Sequence, residues 1–164
     1  MNYLFISVNI HHIPATVRAF FRLDERVKLY RVKYVKELPN GFGGTAQGPL
    51  IKILPKYRDD IGLLEHEKVH VLQWYAWLAI GLLLSTLLTL LVSPSLWPLY
   101  GLAPLLHQLL YKFVRPHRRW CEVQAYSKQP ATGGYSSSDF AVAALVEKYD
   151  LNLSTNEAKA LLLD

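Results

Sequence analysis

From Val69 to Tyr111 the chain carries no aspartate, glutamate, lysine or arginine. No other feature limits the fold as much. A compact domain of 164 residues has too little other mass to cover two helices that are apolar all round. The run divides at Ser93-Pro94-Ser95. At 1.5 Å per residue, Val71 to Val92 spans roughly 33 Å and Leu96 to Val114 roughly 28 Å, against a bilayer core of about 30 Å. Trp74, Tyr75 and Trp77 stand at one end of the run, Trp97 and Tyr100 near its turn, and Tyr111 at its return. Aromatic residues favour both membrane interfaces in this way. The expectation is a transmembrane helical hairpin, 71–92 and 96–114, set within one domain spanning 1–164. Its partner is membrane lipid. The bland reading is a helical hairpin buried in a soluble protein or in a large protein assembly.

The uncharged run starts inside His66-Glu67-Lys68-Val69-His70. On a helix His66 and His70 share a face, so both imidazoles reach one metal ion. Glu67 stands beside them, where a general base would act on water. Asp59 or Asp60 is the expected N-cap of this helix. A catalytic zinc needs a third protein ligand and an open position. On chemistry alone His117 and Cys121 are candidates for that third place, as is Glu122 in Arg118-Arg119-Trp120-Cys121-Glu122-Val123-Gln124-Ala125-Tyr126. Cys121, the single cysteine, also suits a buried apolar role. His11, His12 and His107 lack any partner spacing and read as structural.

HExxH followed by E-x-x-A-Y at Glu122–Tyr126 resembles the gluzincin branch of zinc metallopeptidases. The resemblance implies that His66, His70 and Glu122 bind Zn2+, that Glu67 is the catalytic base, and that Tyr126 steadies an oxyanion. It also implies a zincin-like arrangement of helices and a substrate-holding strand edge before the motif helix. Gly48–Leu54 stands in that place. A peptide or protein would be the substrate. The hairpin and the site require each other's geometry: a single crossing would leave Glu122 on the far side of the membrane from His70.

The remainder reads as α+β with a small antiparallel sheet. Strands are expected at Tyr3–Ile10, within Val27–Lys36 and at Leu50–Leu54. Leu38–Pro49, with four glycines, is expected to be a turn-rich loop. Helices are expected at Pro14–Asp24, after Pro116 to Gln129, at Asp139–Tyr149 and at Ala158–Leu163. Pro130–Ser138 reads as a loop. Ser154 and Glu157 form a capping box. The chain carries a net charge of +5. Its basic residues cluster at Arg18–Lys36 and at Lys112–Arg119, a pattern suited to anionic lipid, with nucleic acid the less favoured partner. Lys52, Lys56, Arg58 and Lys68 precede the apolar run; Lys112, Arg115, Arg118 and Arg119 follow it. The positive-inside rule then puts both ends and the metal site in the cytoplasm. The N-terminus does not read as a signal peptide. The competing expectation is a non-catalytic structural or membrane-active protein, such as a phage virion component, with a structural or vestigial metal site and protein assembly partners.

Overall fold

The computed structural model describes residues 29–163. The strand expected at Tyr3–Ile10, the helix at Pro14–Asp24, His11 and His12 all lie outside the described residues.

Among the described residues there are three short strands: β1 (Arg31–Tyr34), β2 (Gly44–Gln47) and β3 (Leu50–Ile53). The sheet order is β1-β3-β2. β2 pairs antiparallel with β3, whereas β1 pairs parallel with it. The sheet is therefore mixed, not the antiparallel sheet expected. The reason lies in Leu38–Pro49, which is not all loop. It contains β2, and its reversal returns β3 to the direction of β1. Gly48, at φ +59°, provides the left-handed residue that a two-residue hairpin turn needs, with Pro49 after it. The alternation of Leu50-Ile51-Lys52-Ile53 turns Ile51 and Ile53 inward, and they are 0% and 2% exposed. They pack with Val71.

Helix α1 (Ile61–Leu91) joins the HEKVH segment and the apolar run in one uninterrupted element. Asp60 caps it, its Oδ1 accepting from the Leu63 amide at 2.8 Å. The expected second limb of the hairpin, 96–114, is not a helix of matching length, and no helical hairpin is formed. Pro94–Gly101 and Ala103–Leu105 are 3-10 turns, and only α2 (Leu106–Phe113) is α-helical. Pro98 and Pro104 remove backbone donors that a continuous α-helix would use. The chain nevertheless returns along α1. Tyr100 donates to Thr86 Oγ1 at 2.9 Å, and Trp74 Nε1 donates to the Pro104 carbonyl at 2.9 Å. Ala103 lies so near Gly81 that a Cβ added there would stand 3.0 Å from the Ala103 Cβ.

The long helix α3 (Arg115–Gly133) follows, with Pro116 in its first turn, where the missing N–H costs nothing. It runs through Pro130 into the segment expected to be loop and stops at Gly134, φ +65°. Arg118 donates to the carbonyls of Tyr111, Lys112 and Tyr149. Besides adding to the basic flank, it closes the end of α2. Helices α4 (Asp139–Glu147) and α5 (Thr155–Leu163) complete a second core with Tyr126, Ala141, Leu145, Leu151 and Ala158. Ser154 and Glu157 form the expected reciprocal cap: Glu157 Oε2 accepts from the Ser154 amide at 2.8 Å, and Ser154 Oγ from the Glu157 amide at 3.3 Å.

Where α1 starts it meets the end of α3 backbone to backbone. A Cβ added to Gly62 would stand 2.8 Å from the Gln129 carbonyl oxygen and 2.9 Å from the Gly133 Cα, and would overlap the Tyr135 ring. A Cβ on Gly101 would meet nothing within 4 Å. Gly62→Ala is expected to destabilise the fold by about 1–3 kcal/mol, the usual range for overpacking, while Gly101→Ala leaves it unchanged. Thermal unfolding of the two variants beside the wild type checks this. A Gly62→Ala protein as stable as the wild type would refute the close approach.

Candidate metal centre

His66, Glu67 and His70 lie in the second and third turns of α1, on the side that faces α3. Glu122 projects from the middle of α3 and is only 1% exposed. The folded chain thus brings together the ligand set expected from the sequence. His66 Nε2 and His70 Nε2 are 3.2 Å apart, Glu122 Oε1 lies 3.4 Å from His70 Nε2, and Glu122 Oε2 lies 3.8 Å from His66 Nε2. These separations are close to the ligand–ligand edges of a tetrahedral zinc site, roughly 3.3–3.5 Å for metal bonds of 2.0–2.2 Å. The group can hold a metal ion.

Hydrogen bonding orients the donors. Gln73 Nε2 donates to the Cys121 carbonyl at 3.2 Å and to Gln124 Oε1 at 3.0 Å, which fixes its amide with Oε1 toward His70. That oxygen only accepts, so His70 Nδ1, 3.0 Å away, carries the proton. His70 Nε2 is left with its lone pair facing His66 and Glu122. A metal-ligating histidine is commonly held in this way by its other nitrogen. Tyr111 donates to Glu122 Oε1 at 2.5 Å. Glu122 Oε2 is buried with no hydrogen-bond partner. A buried carboxylate oxygen left so is costly unless a cation meets it.

The electrostatics agree with that requirement. Burial, reinforced by the charge of Glu122, pushes the Glu67 carboxyl up to about 8, against a weaker opposing hydrogen bond from the Ala46 backbone. Burial, then the neighbouring His70, hold His66 well below the usual histidine range. His66 is therefore neutral near pH 7, the form in which imidazole binds metal. Gly44 lies where β2 passes closest to Glu67: a Cβ there would stand 2.7 Å from Glu67 Oε1, so the carboxyl would have to shift. Phe42, Ala46, Trp74 and Tyr149 line the cleft above these residues.

Tyr126 lies against the site. Its ring meets the His66 ring edge-on at 4.4 Å between centroids, and its hydroxyl is hydrogen-bonded to that of Tyr149 at 2.9 Å. Burial pushes the Tyr126 hydroxyl above the usual tyrosine range. Gly48–Leu54 is not a strand edge, since β3 is the central strand. Among the described residues β2 is an edge strand, and it lines the cleft. His117 and Cys121 do not join the His66–His70–Glu122 group. They stand with His107 as a second buried group able to hold a metal ion, so His107 has the partners that its spacing did not announce.

Gln73 and Tyr111 escaped the sequence reading, which took Tyr111 only as an interfacial aromatic. Gln73 had a signal: a polar side chain at i+3 from His70 in an otherwise apolar run. Tyr111 had none, since only the return of the chain brings it to Glu122. Comparisons with protein families, curated proteins and solved structures produced no match to this chain.

Tyr111→Phe is expected to lower metal affinity about 10–100-fold, the usual cost of losing a hydrogen bond that orients a ligand, without changing the stoichiometry. Competition titration against a chromophoric chelator measures it. Unchanged affinity would mean that Tyr111 does not hold Glu122 in its ligating position.

Proposed function

We propose that this protein is a membrane-anchored zinc metallopeptidase. The observation that carries the reading is the convergence of His66, His70 and Glu122 with Glu67 beside them, on helices before and after an apolar segment. Two imidazoles and one carboxylate suit zinc, and three protein ligands are the number that catalytic zinc sites use. Bound there, zinc would polarise the scissile carbonyl and lower the pKa of water to about 7. Glu67 takes the proton of the attacking water and passes it to the departing amine. The substrate lies along β2, adding a strand through backbone hydrogen bonds. Tyr126, held by Tyr149, shapes the wall behind His66.

Among the described residues one helix, α1, is long and apolar enough to cross a membrane, and only 11% of its most apolar window is buried. Leu83, Leu84, Leu87, Leu90 and Leu91 are all exposed, as is Trp97 on the return. A core helix would bury such residues. We assign this surface to lipid, with α1 entering the bilayer and the 3-10 segment returning against it. By the positive-inside rule, basic residues on both flanks support a cytoplasmic side for the metal site.

The catalytic reading is tested with the full chain, purified in detergent without chelators, on a mixed peptide library. The wild type is expected to cleave peptides. Glu67→Gln is expected to keep its zinc and lose about 10²–10⁴-fold in rate. A zinc-loaded wild type that cleaves nothing would replace this reading with the structural, virion-type alternative.

Anchoring has its own test. Wild-type protein is expected to stay with membranes through an alkaline carbonate wash. Leu83→Arg, at a cost of about 2.5–3.5 kcal/mol of insertion, is expected to move protein out of the membrane fraction. Release of the wild type by the wash would overturn the anchor.

A further inference from the structure

His107, His117 and Cys121 form a second cluster at the junction of α2 and α3. His117 Nε2 lies 3.3 Å from His107 Nδ1 and 3.4 Å from Cys121 Sγ. All three donor atoms lie within 4.8 Å of one another. Around a tetrahedral zinc, with Zn–N of about 2.0–2.1 Å and Zn–S of about 2.3 Å, nitrogen–nitrogen edges are about 3.3 Å and nitrogen–sulfur edges about 3.6 Å. The two measured pairs are close to those edges. His117 and Cys121 stand four apart on one face of α3, the spacing that His66 and His70 use on α1. His107 comes from a separate element, so the cluster joins two helices. Cys121 is fully buried and His107 is 8% exposed. The half-buried His117 ring packs against Trp77 and Trp120.

We propose that these three residues are a second metal site, which takes a thiolate-preferring ion, zinc, and holds α2 against α3. Two imidazoles and a thiol suit zinc and exclude the oxygen-seeking ions calcium and magnesium. The role is structural. On α2, Tyr111 lies one turn beyond His107, and on α3, Glu122 follows Cys121. A metal joining His107 to Cys121 thereby fixes the helix pair across which Tyr111 donates to Glu122. The proposal stands on its own donor set and does not depend on the peptidase reading.

The test is metal counting and cobalt spectroscopy on the full chain in detergent. Zinc loading is expected to give two ions per chain, one in Cys121→Ser, one in His117→Ala and one in His70→Ala. Cobalt is expected to give a near-ultraviolet thiolate charge-transfer band in the wild type. The band should persist in His70→Ala and vanish in Cys121→Ser. The first cluster contains no sulfur, so the band reports only the second. A band without the His70-dependent ion would uphold this site and remove the first. Absence of the band from the wild type overturns the proposal, and that spectrum requires no variant to fold. A zinc count unchanged by Cys121→Ser overturns it as well, leaving the trio an ordinary hydrogen-bonded cluster.

Discussion

Two carboxyl groups, Glu67 and Glu122, are kept out of water within one site, at 4% and 1% exposure. Burial and the charge of Glu122 both oppose ionisation of Glu67. Such a pair is tolerable where one group stays protonated or a cation shares the site. The surroundings answer both needs. Glu67 is pushed up to about 8, and two imidazole nitrogens converge on Glu122. Much of the neighbouring structure serves this arrangement. Gly44 clears space for Glu67, Gln73 sets the tautomer of His70, and Tyr111 satisfies one Glu122 oxygen while the other is left for the site. Remove the carboxylate of Glu122 and these contacts lose their common object.

The same helix that presents the histidines also leaves the head of the protein. That dual use dictates the path of the chain. Glu122 lies beyond the apolar run, so the run has to return to where it began. It does so with small residues at the closest approach, Gly81 against Ala103, and with polar anchors at Thr86–Tyr100 and Trp74–Pro104. Arg118 then ties the end of α2 to α3 and to Tyr149 through three backbone carbonyls. These satisfied carbonyls hold the short helix that carries both His107 and Tyr111. Stiffness is thus concentrated where the returning chain meets the site. The apolar far end, from Leu82 to Leu105, is held by fewer polar contacts and presents its leucines outward.

Local signals in the sequence were legible wherever a residue acts on its own neighbours. The Asp60 cap, the Ser154–Glu157 box, the HEKVH face and the alternation of Leu50–Ile53 each follow from spacing along one element. What misled was punctuation. Four glycines and two prolines in Leu38–Pro49 hid a strand, because a strand's hydrogen bonds are made with residues outside it. The apolar composition of 96–114 suits a helix, yet Pro98 and Pro104 make the return limb 3-10 turns instead. Pro130, by contrast, did not stop α3, because the helix continues packing against Gly62 beyond it.

By itself the sequence determined that His66 and His70 share a helical face with Glu67 beside them, and that an uncharged run follows in the same helix. Those facts depend only on periodicity and composition. Tertiary structure decided which distant residues complete each donor set. Glu122 joins His66 and His70, whereas His117 and Cys121 join His107, although Cys121 and Glu122 are adjacent in the chain. The physical reason is helical geometry: consecutive residues point about 100° apart, so one turn of α3 serves two neighbours. Which neighbour each side chain meets depends on how α1 and α2 pack around it.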